Sequence, residues 1–151
     1  MERRKLIRVA RLGLILALTA SPISALADYG SATVERVTSI YDGDTFRADI
    51  AGWPAIIGER VPIRVKGVDA PEIRAQCDSE KKLARQAKQF TVAALRGADH
   101  IELEELERGK YFRIAARVMI DGEDLATGLT KAGLGRPYQG GHRDGWCRRE
   151  Q

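Results

Sequence analysis

Val61-Pro62-Ile63-Arg64-Val65-Lys66-Gly67-Val68-Asp69-Ala70-Pro71-Glu72 is the stretch whose reading decides the fold. Val61, Ile63 and Val65 alternate with Pro62, Arg64 and Lys66, the period of two that sends successive side chains to opposite faces of a strand. The apolar set is expected to face a core and Arg64 to face away from it. Pro62 cannot donate a ladder hydrogen bond, so it marks the strand's start or an edge. Gly67-Val68 leads out of the strand, and Pro71 ends regular pairing. The run thus delivers two carboxylates, Asp69 and Glu72, just past a strand that carries an arginine.

Upstream, Asp42-Gly43-Asp44-Thr45 is a tight turn signal. It joins an imperfectly alternating strand over Val34–Ile40 to a clean one, with Phe46, Ala48 and Ile50 set against Thr45, Arg47 and Asp49. Gly52-Trp53-Pro54 breaks that strand, and Ile56 and Ile57 fall in a connecting segment ending at Gly58. Downstream, Ser79 or Asp78 can cap a helix reaching about Arg96. Its apolar stripe is Leu83, Ala87, Phe90 and Ala94, with Leu95 beside it and Gly97 as its stop. Lys81, Lys82, Arg85 and Lys88 lie off the stripe and read as a solvated face. Ile101 and Leu103 alternate with glutamates in a fourth strand. Arg108-Gly109 forms a loop. Ile114, Ala116, Val118 and Ile120 give a fifth strand, opened by Arg113 on its outer side. After the Asp121-Gly122 turn, Leu125, Leu129 and Ala132 form a short helix ending at Gly133. The chain then runs into a Gly- and Arg-rich tail with Tyr138, Trp146 and Cys147. Three strands, a helix, two strands and a helix describe a mainly β, α+β architecture. It is a five-stranded OB-type barrel with a helix between strands three and four and a short C-terminal helix.

A chain of 151 residues suits one domain. Arg3, Arg4, Lys5, Arg8 and Arg11 make a basic leader, and Leu12 to Ala20 an apolar run too short for a membrane span. Ala25-Leu26-Ala27 is a small-x-small cleavage pattern. Residues 1–27 therefore read as a signal peptide cut after Ala27, with 28–151 as the domain. An uncleaved N-terminal anchor or a frayed amphipathic helix is the alternative. After cleavage no stable membrane insertion is expected, and the product is periplasmic or secreted. The chain has 25 Lys and Arg against 21 Asp and Glu. Residues 1–27 hold five of the basic and one of the acidic side chains, leaving 20 of each sign. Global basicity therefore gives no support for a polyanion partner, and such a site has to be a local patch. The two cysteines, Cys77 and Cys147, favour a disulfide in an exported chain, and two unrelated thiols are the alternative. A bridge would contribute about 4 kcal/mol in the chain-entropy model and tie the tail to the segment after the acidic run. His100 and His142 lack zinc-finger spacing, which argues against structural zinc.

Asp42, Asp44 and Asp69 offer hard oxygen ligands suited to Ca2+ or Mg2+. Crowded carboxylates repel one another unless a cation sits among them. Glu72, beyond the stiff Ala70-Pro71 step, can enter the same space in another role, that of general base for a water molecule. Arg64 and Arg113 suit a phosphate, because guanidinium binds oxyanions through two parallel hydrogen bonds.

These ordered motifs resemble the thermonuclease (micrococcal nuclease-like) family, calcium-dependent nucleases built on an OB barrel. The likeness rests on Asp42-Gly43-Asp44-Thr45, Arg64 through Glu72, Lys110-Tyr111-Phe112-Arg113 and Ala132-Gly133-Leu134, and covers roughly Val34 to Tyr138. It implies Asp44 and Asp69 as calcium carboxylates, the backbone carbonyl of Ala70 as a further ligand, and Asp42 as an indirect one. It implies Glu72 as general base, and Arg64 and Arg113 as the phosphate-binding, transition-state-stabilising pair. Lys110 and Tyr111 would lie near a nucleotide phosphate, and Tyr138 near the family's base-stacking tyrosines. The chain departs from the family at Gly109-Lys110-Tyr111-Phe112-Arg113, where members often read Asp-x-Tyr-Gly-Arg. That change bears on the loop that aims Arg113. Ala70 stands where some members have threonine, although only its backbone is needed.

The expected function is an exported, Ca2+-dependent phosphodiesterase acting on DNA, with RNA open. Its substrate partner is nucleic acid, and a monomer is expected. The alternative is a catalytically weak OB module that binds nucleic acid or protein.

Overall fold

The structure, a computed structural model, describes residues 29–147. The expected signal peptide lies outside the described residues. Five long strands form the frame: β1 (Ala32–Ile40), β2 (Thr45–Ile50), β3 (Val61–Val65), β5 (Ile101–Arg108) and β6 (Ile114–Ile120). Three short strands complete the set, β4 (Gly67–Asp69), β7 (Glu123–Asp124) and β8 (Arg136–Tyr138). Helices are α1 (Ala55–Gly58), α2 (Asp78–Gly97) and α3 (Leu125–Lys131). The antiparallel order β3-β2-β1-β5-β6 is closed by parallel pairing of β3 with β6, Ile63 to Ile114 and Val65 to Ala116. The expected five-stranded barrel is therefore the observed one, with α2 inserted before its fourth strand. Pro62 sits at the start of β3, before the β6 pairing begins, where its missing N–H breaks no bond to β6.

The barrel core is made by the alternating sets read from the sequence. Phe46, Ala48, Ile50, Ile63, Val65, Leu103, Ala116 and Val118 are all buried. Each large apolar side chain so buried contributes roughly 1.5–3 kcal/mol. The imperfect alternation of β1 has a cause: its register against β2 shifts between Val34 and Arg36 and again between Val37 and Ser39. A bulge inserts an unpaired residue and reverses the facing of the residues beyond it. β5 shows the same device. Its register shifts between Glu104 and Glu107, Glu105 takes φ +50°, and Leu106 becomes buried in place of Glu105.

Three expectations need adjustment. Ile56 and Ile57 lie in the single-turn helix α1 rather than in plain loop. The N-cap of α2 is Cys77, without a side-chain cap bond, and neither Asp78 nor Ser79 fills that place. The buried face of α2 is Glu80, Ala84, Ala87, Thr91 and Leu95. Of these Ala87 belongs to the expected stripe and Leu95 lies beside it; Phe90 and Ala94 of that stripe are partly buried and pack against the core, and Leu83 is half-buried. The stripe is rotated because α2 packs small residues against the acidic turn between β1 and β2.

Candidate functional site

The site begins with that turn. A Cβ on Gly43 would lie 2.9 Å from the Cβ of Ala87 and 3.0 Å from that of Ala70, so only glycine lets the turn seat on α2. Thr91, fully buried on α2, donates its hydroxyl to the Gly43 carbonyl at 2.7 Å. Asp42 Oδ1 accepts the Asp44 N–H at 3.2 Å, and Asp44 Oδ1 accepts the Thr45 hydroxyl at 3.0 Å. The other Asp44 oxygen accepts the Ala70 N–H at 2.7 Å. That bond joins the two acidic runs directly.

The second run is delivered by β3 and β4. Gly67 at φ +82° turns the chain out of the barrel, and β4 then pairs with β8, Asp69 opposite Arg136. Asp42, Asp44 and Asp69 are all buried, at 5%, 4% and 6% exposure. Arg64 projects from the outer face of β3 as expected, but into this cluster rather than into solvent. Its side chain is 14% exposed, in a close ion pair with Asp44 and 3.6 Å from Asp69 Oδ1. It also donates to the carbonyls of Asp44 and Val68 at 3.4 and 3.3 Å. Burial, then the charge of Arg143, lowers the Arg64 pKa to about 10, opposed by Asp42 and Asp69. The group stays cationic at neutral pH. Burial raises the Asp42 pKa, opposed by Arg64, Thr45 and Arg143.

Glu72 is half exposed at the rim. Its N–H donates to Glu80 Oε1 at 3.1 Å, so a buried carboxylate on the first turn of α2 fixes the loop that carries it. Its own carboxylate accepts from Arg143 at 3.1 Å. Arg143 also places Nε 2.9 Å from Asp69 Oδ1, and Trp146 donates its indole N–H to Asp69 Oδ2 at 3.3 Å. Cys77 and Cys147 stand in disulfide geometry, with Cα atoms 5.8 Å apart. Cys77, Glu80 and Cys147 converge, but a bridge between the two sulfurs, which their geometry suits, would leave no thiolate for a metal.

The carboxylates fit a hard divalent cation. Asp69 Oδ1 is buried, and although two guanidiniums approach it, among the described residues no donor is aligned for a hydrogen bond. When ionised, the buried carboxylates Asp42, Asp44 and Asp69 outnumber Arg64, the mostly buried cation among them, so the cluster carries a negative excess that a divalent cation would offset.

The remaining expected site residues are dispersed. Tyr138 lines a groove of about 640 Å3 together with Arg64 and Lys66, and its hydroxyl donates to the Gly141 carbonyl at 2.9 Å. Lys110 and Tyr111 lie exposed on a single 3-10 turn. Arg113 donates to the Lys110 carbonyl at 3.4 Å and lies 5.9 Å from the Tyr111 ring centroid. It reaches none of the carboxylates, though its charge is felt at Arg64. Tyr111 and Phe112 both have φ near +58°, a left-handed conformation uncommon for bulky side chains. Sequence reasoning does not find Arg143, Trp146 or Glu80. The usable signal is the expected Cys77–Cys147 link, which brings the four residues before Cys147 back toward Glu72.

The family described as staphylococcal nuclease homologue matches residues 62–147, more than half the chain. The chain belongs to this family. The staphylococcal nuclease match spans Arg64, Asp69, Glu72, Arg113 and Arg143, and begins after the Asp42–Asp44 turn. The chain is also similar to the probable endonuclease LCL3 of Pyricularia oryzae, 28% identical over 123 residues, covering 68% of this chain. It spans about half, 48%, of that relative's length.

Proposed function

We propose that this chain is an exported, Ca2+-dependent nuclease that hydrolyses phosphodiester bonds of DNA, with RNA as a second substrate. The observation that carries the reading is the cluster of Arg64 with Asp44 and Asp69, joined by the Asp44–Ala70 bond, with Glu72 tied to it through Arg143. Family membership and the name of its fungal relative support the same chemistry. Asp44, Asp69 and the Ala70 carbonyl would hold the calcium ion, with Asp42 behind them. A bound Ca2+ supplies electrostatic stabilisation of charge on the phosphate oxygens. Glu72, half exposed at the rim, takes the proton of the attacking water. Arg64 binds the phosphate, and Arg113 is the family's second arginine, carried on a loop beside Lys110 and Tyr111. Tyr138, in the groove with Arg64, offers a ring to a base.

The test is digestion of plasmid and single-stranded DNA with Ca2+ or with EGTA. Glu72→Gln should lower the rate roughly 100- to 10,000-fold, and Arg64→Ala roughly 100- to 1,000-fold. EGTA should abolish cleavage. Undiminished cleavage by both variants overturns the assignment. Mass spectrometry of the exported product should show a chain beginning at Asp28, and retention of residues 1–27 would refute cleavage there. One observation favours the second reading, a binding module without turnover: Arg113 turns toward Lys110 and Tyr111 rather than the carboxylates. Calorimetric binding of Ca2+ and nucleotide without cleavage would select it.

A further inference from the structure

We infer that Arg143 is a further phosphate-binding arginine at this cluster, beyond Arg64 and Arg113, delivered by a C-terminal strap tethered at both ends. The inference rests on the nuclease reading above and adds a residue to it. Arg143 already touches both parts of the machinery, 2.9 Å from Asp69 Oδ1 and 3.1 Å from Glu72 Oε1. A phosphate poised between a cation at Asp69 and a water at Glu72 would have to sit beside this guanidinium.

Arg143 cannot simply leave when substrate arrives. On one side, β8 is paired with β4, Tyr138 opposite Gly67 and Arg136 opposite Asp69. On the other, Cys147 is linked to Cys77 at the start of α2. Between them, Arg136 stacks on Trp146 with its guanidinium 3.7 Å from the ring centroid. It also donates to the carbonyls of Asp144 and Gly145 at 3.4 and 3.2 Å. The strap between Tyr138 and Cys147 can shift locally but cannot swing away. Its arginine therefore stays in the cleft as a cation when a polyanion enters. A guanidinium held by two carboxylates exchanges them readily for phosphate oxygens, which it binds in the same fork geometry. A chain with 20 charges of each sign outside residues 1–27 also needs such local cations to draw in a polyanion.

The reading opposed to this is a plug, an arginine that blocks the cation site until displaced. The two differ in sign. The experiment compares the parent chain with Arg143→Ala and Arg143→Lys, after circular dichroism melting shows that each folds. Binding of a deoxynucleoside 3′,5′-bisphosphate with Ca2+ is read by calorimetry, calcium affinity is read without nucleotide, and kcat and KM are read on single-stranded DNA. Arg143→Ala should weaken bisphosphate binding roughly 10- to 100-fold, the range for a charged hydrogen-bonded contact. It should lower kcat/KM by a similar factor, while Arg143→Lys falls between. Joint replacement Cys77→Ser/Cys147→Ser should reproduce much of the loss, and adding Arg143→Ala to it should add little. Bisphosphate affinity within twofold of the parent overturns the inference. Tighter calcium binding with faster cleavage in Arg143→Ala also overturns it, in favour of the plug. If the parent binds bisphosphate but does not cleave, the nuclease reading fails while the binding comparison still decides the role of Arg143.

Discussion

Asp49 shows what a single side chain does to an alternating pattern. It occupies a strand position that period two sends to solvent, yet it is buried. Its Oδ1 accepts the Arg60 N–H at 2.8 Å, and its Oδ2 accepts two bonds from Arg36 at 2.9 and 2.6 Å. The Arg60 bond first, and Arg36 next, lower its pKa. A folded pKa below the unfolded value means a stabilising contribution that is present above the ordinary carboxylate range, about 3.9. That contribution is lost as pH falls through the folded pKa. Asp49→Asn should therefore lower the melting temperature at pH 7, with the gap to the parent closing as pH drops below about 4. Melting curves at pH 7 and pH 3 check this, and a gap of equal size at both would show that the ion pair is not its source. The residue types are legible in the sequence. The partner is not, because it depends on register shifts in β1 that bring Arg36 opposite Asp49.

Among the elements, α2 does more than cover the barrel. It seats the acidic turn through Ala87 and Thr91 and fixes the Glu72 loop through Glu80. Its facing is hard to read because small and polar residues form its inner face, where a stripe of large apolar ones would normally be sought. A helix that must approach a turn closely buries alanine and threonine, and hydropathy alone does not mark them. Gly43→Ala should overpack this contact and destabilise by about 1–3 kcal/mol. Thr91→Val removes the donor to the Gly43 carbonyl and should also cost about 1–3 kcal/mol. Urea unfolding measures both. Under the calcium reading, calorimetry should add a weaker Ca2+ affinity for Gly43→Ala, since Asp42 and Asp44 flank the shifted residue. Unchanged stability in both variants would mean that α2 does not set the turn. By contrast four of the five barrel strands are legible, since the apolar sets that include Phe46, Ile63, Leu103 and Val118 are plain and these four are buried, while β1 is blurred by its register shifts.

At the scale of the whole molecule, the tail is legible through its cysteines, which tie it to the segment after the acidic run, but not through any strand period. β8 is three residues, Arg136-Pro137-Tyr138, too short and too proline-bearing to show a strand period. Yet its pairing with β4 and the approach of Cys147 to Cys77 wrap the C-terminal segment around the acidic run. The cysteines lie 70 residues apart, and closing a loop of that length lowers unfolded-state entropy by about 4 kcal/mol at 25 °C in the chain-entropy model. The link encloses α2, β5, β6 and α3, so its loss should be felt by the entire barrel rather than by the tail alone. Cys77→Ser/Cys147→Ser, or reduction with dithiothreitol, should lower the melting temperature by on the order of 10 °C. Dithiothreitol should have no such effect on the double variant. If the chain is exported as proposed, the protein recovered outside the cytoplasm should show no thiol reactive toward alkylation until it is reduced, since such bonds persist in oxidising compartments. A melting temperature indifferent to reduction, in a chain whose thiols were protected beforehand, would leave the strap without its anchor. It would then move the holding of Arg143 onto β8 and the Arg136–Trp146 stack.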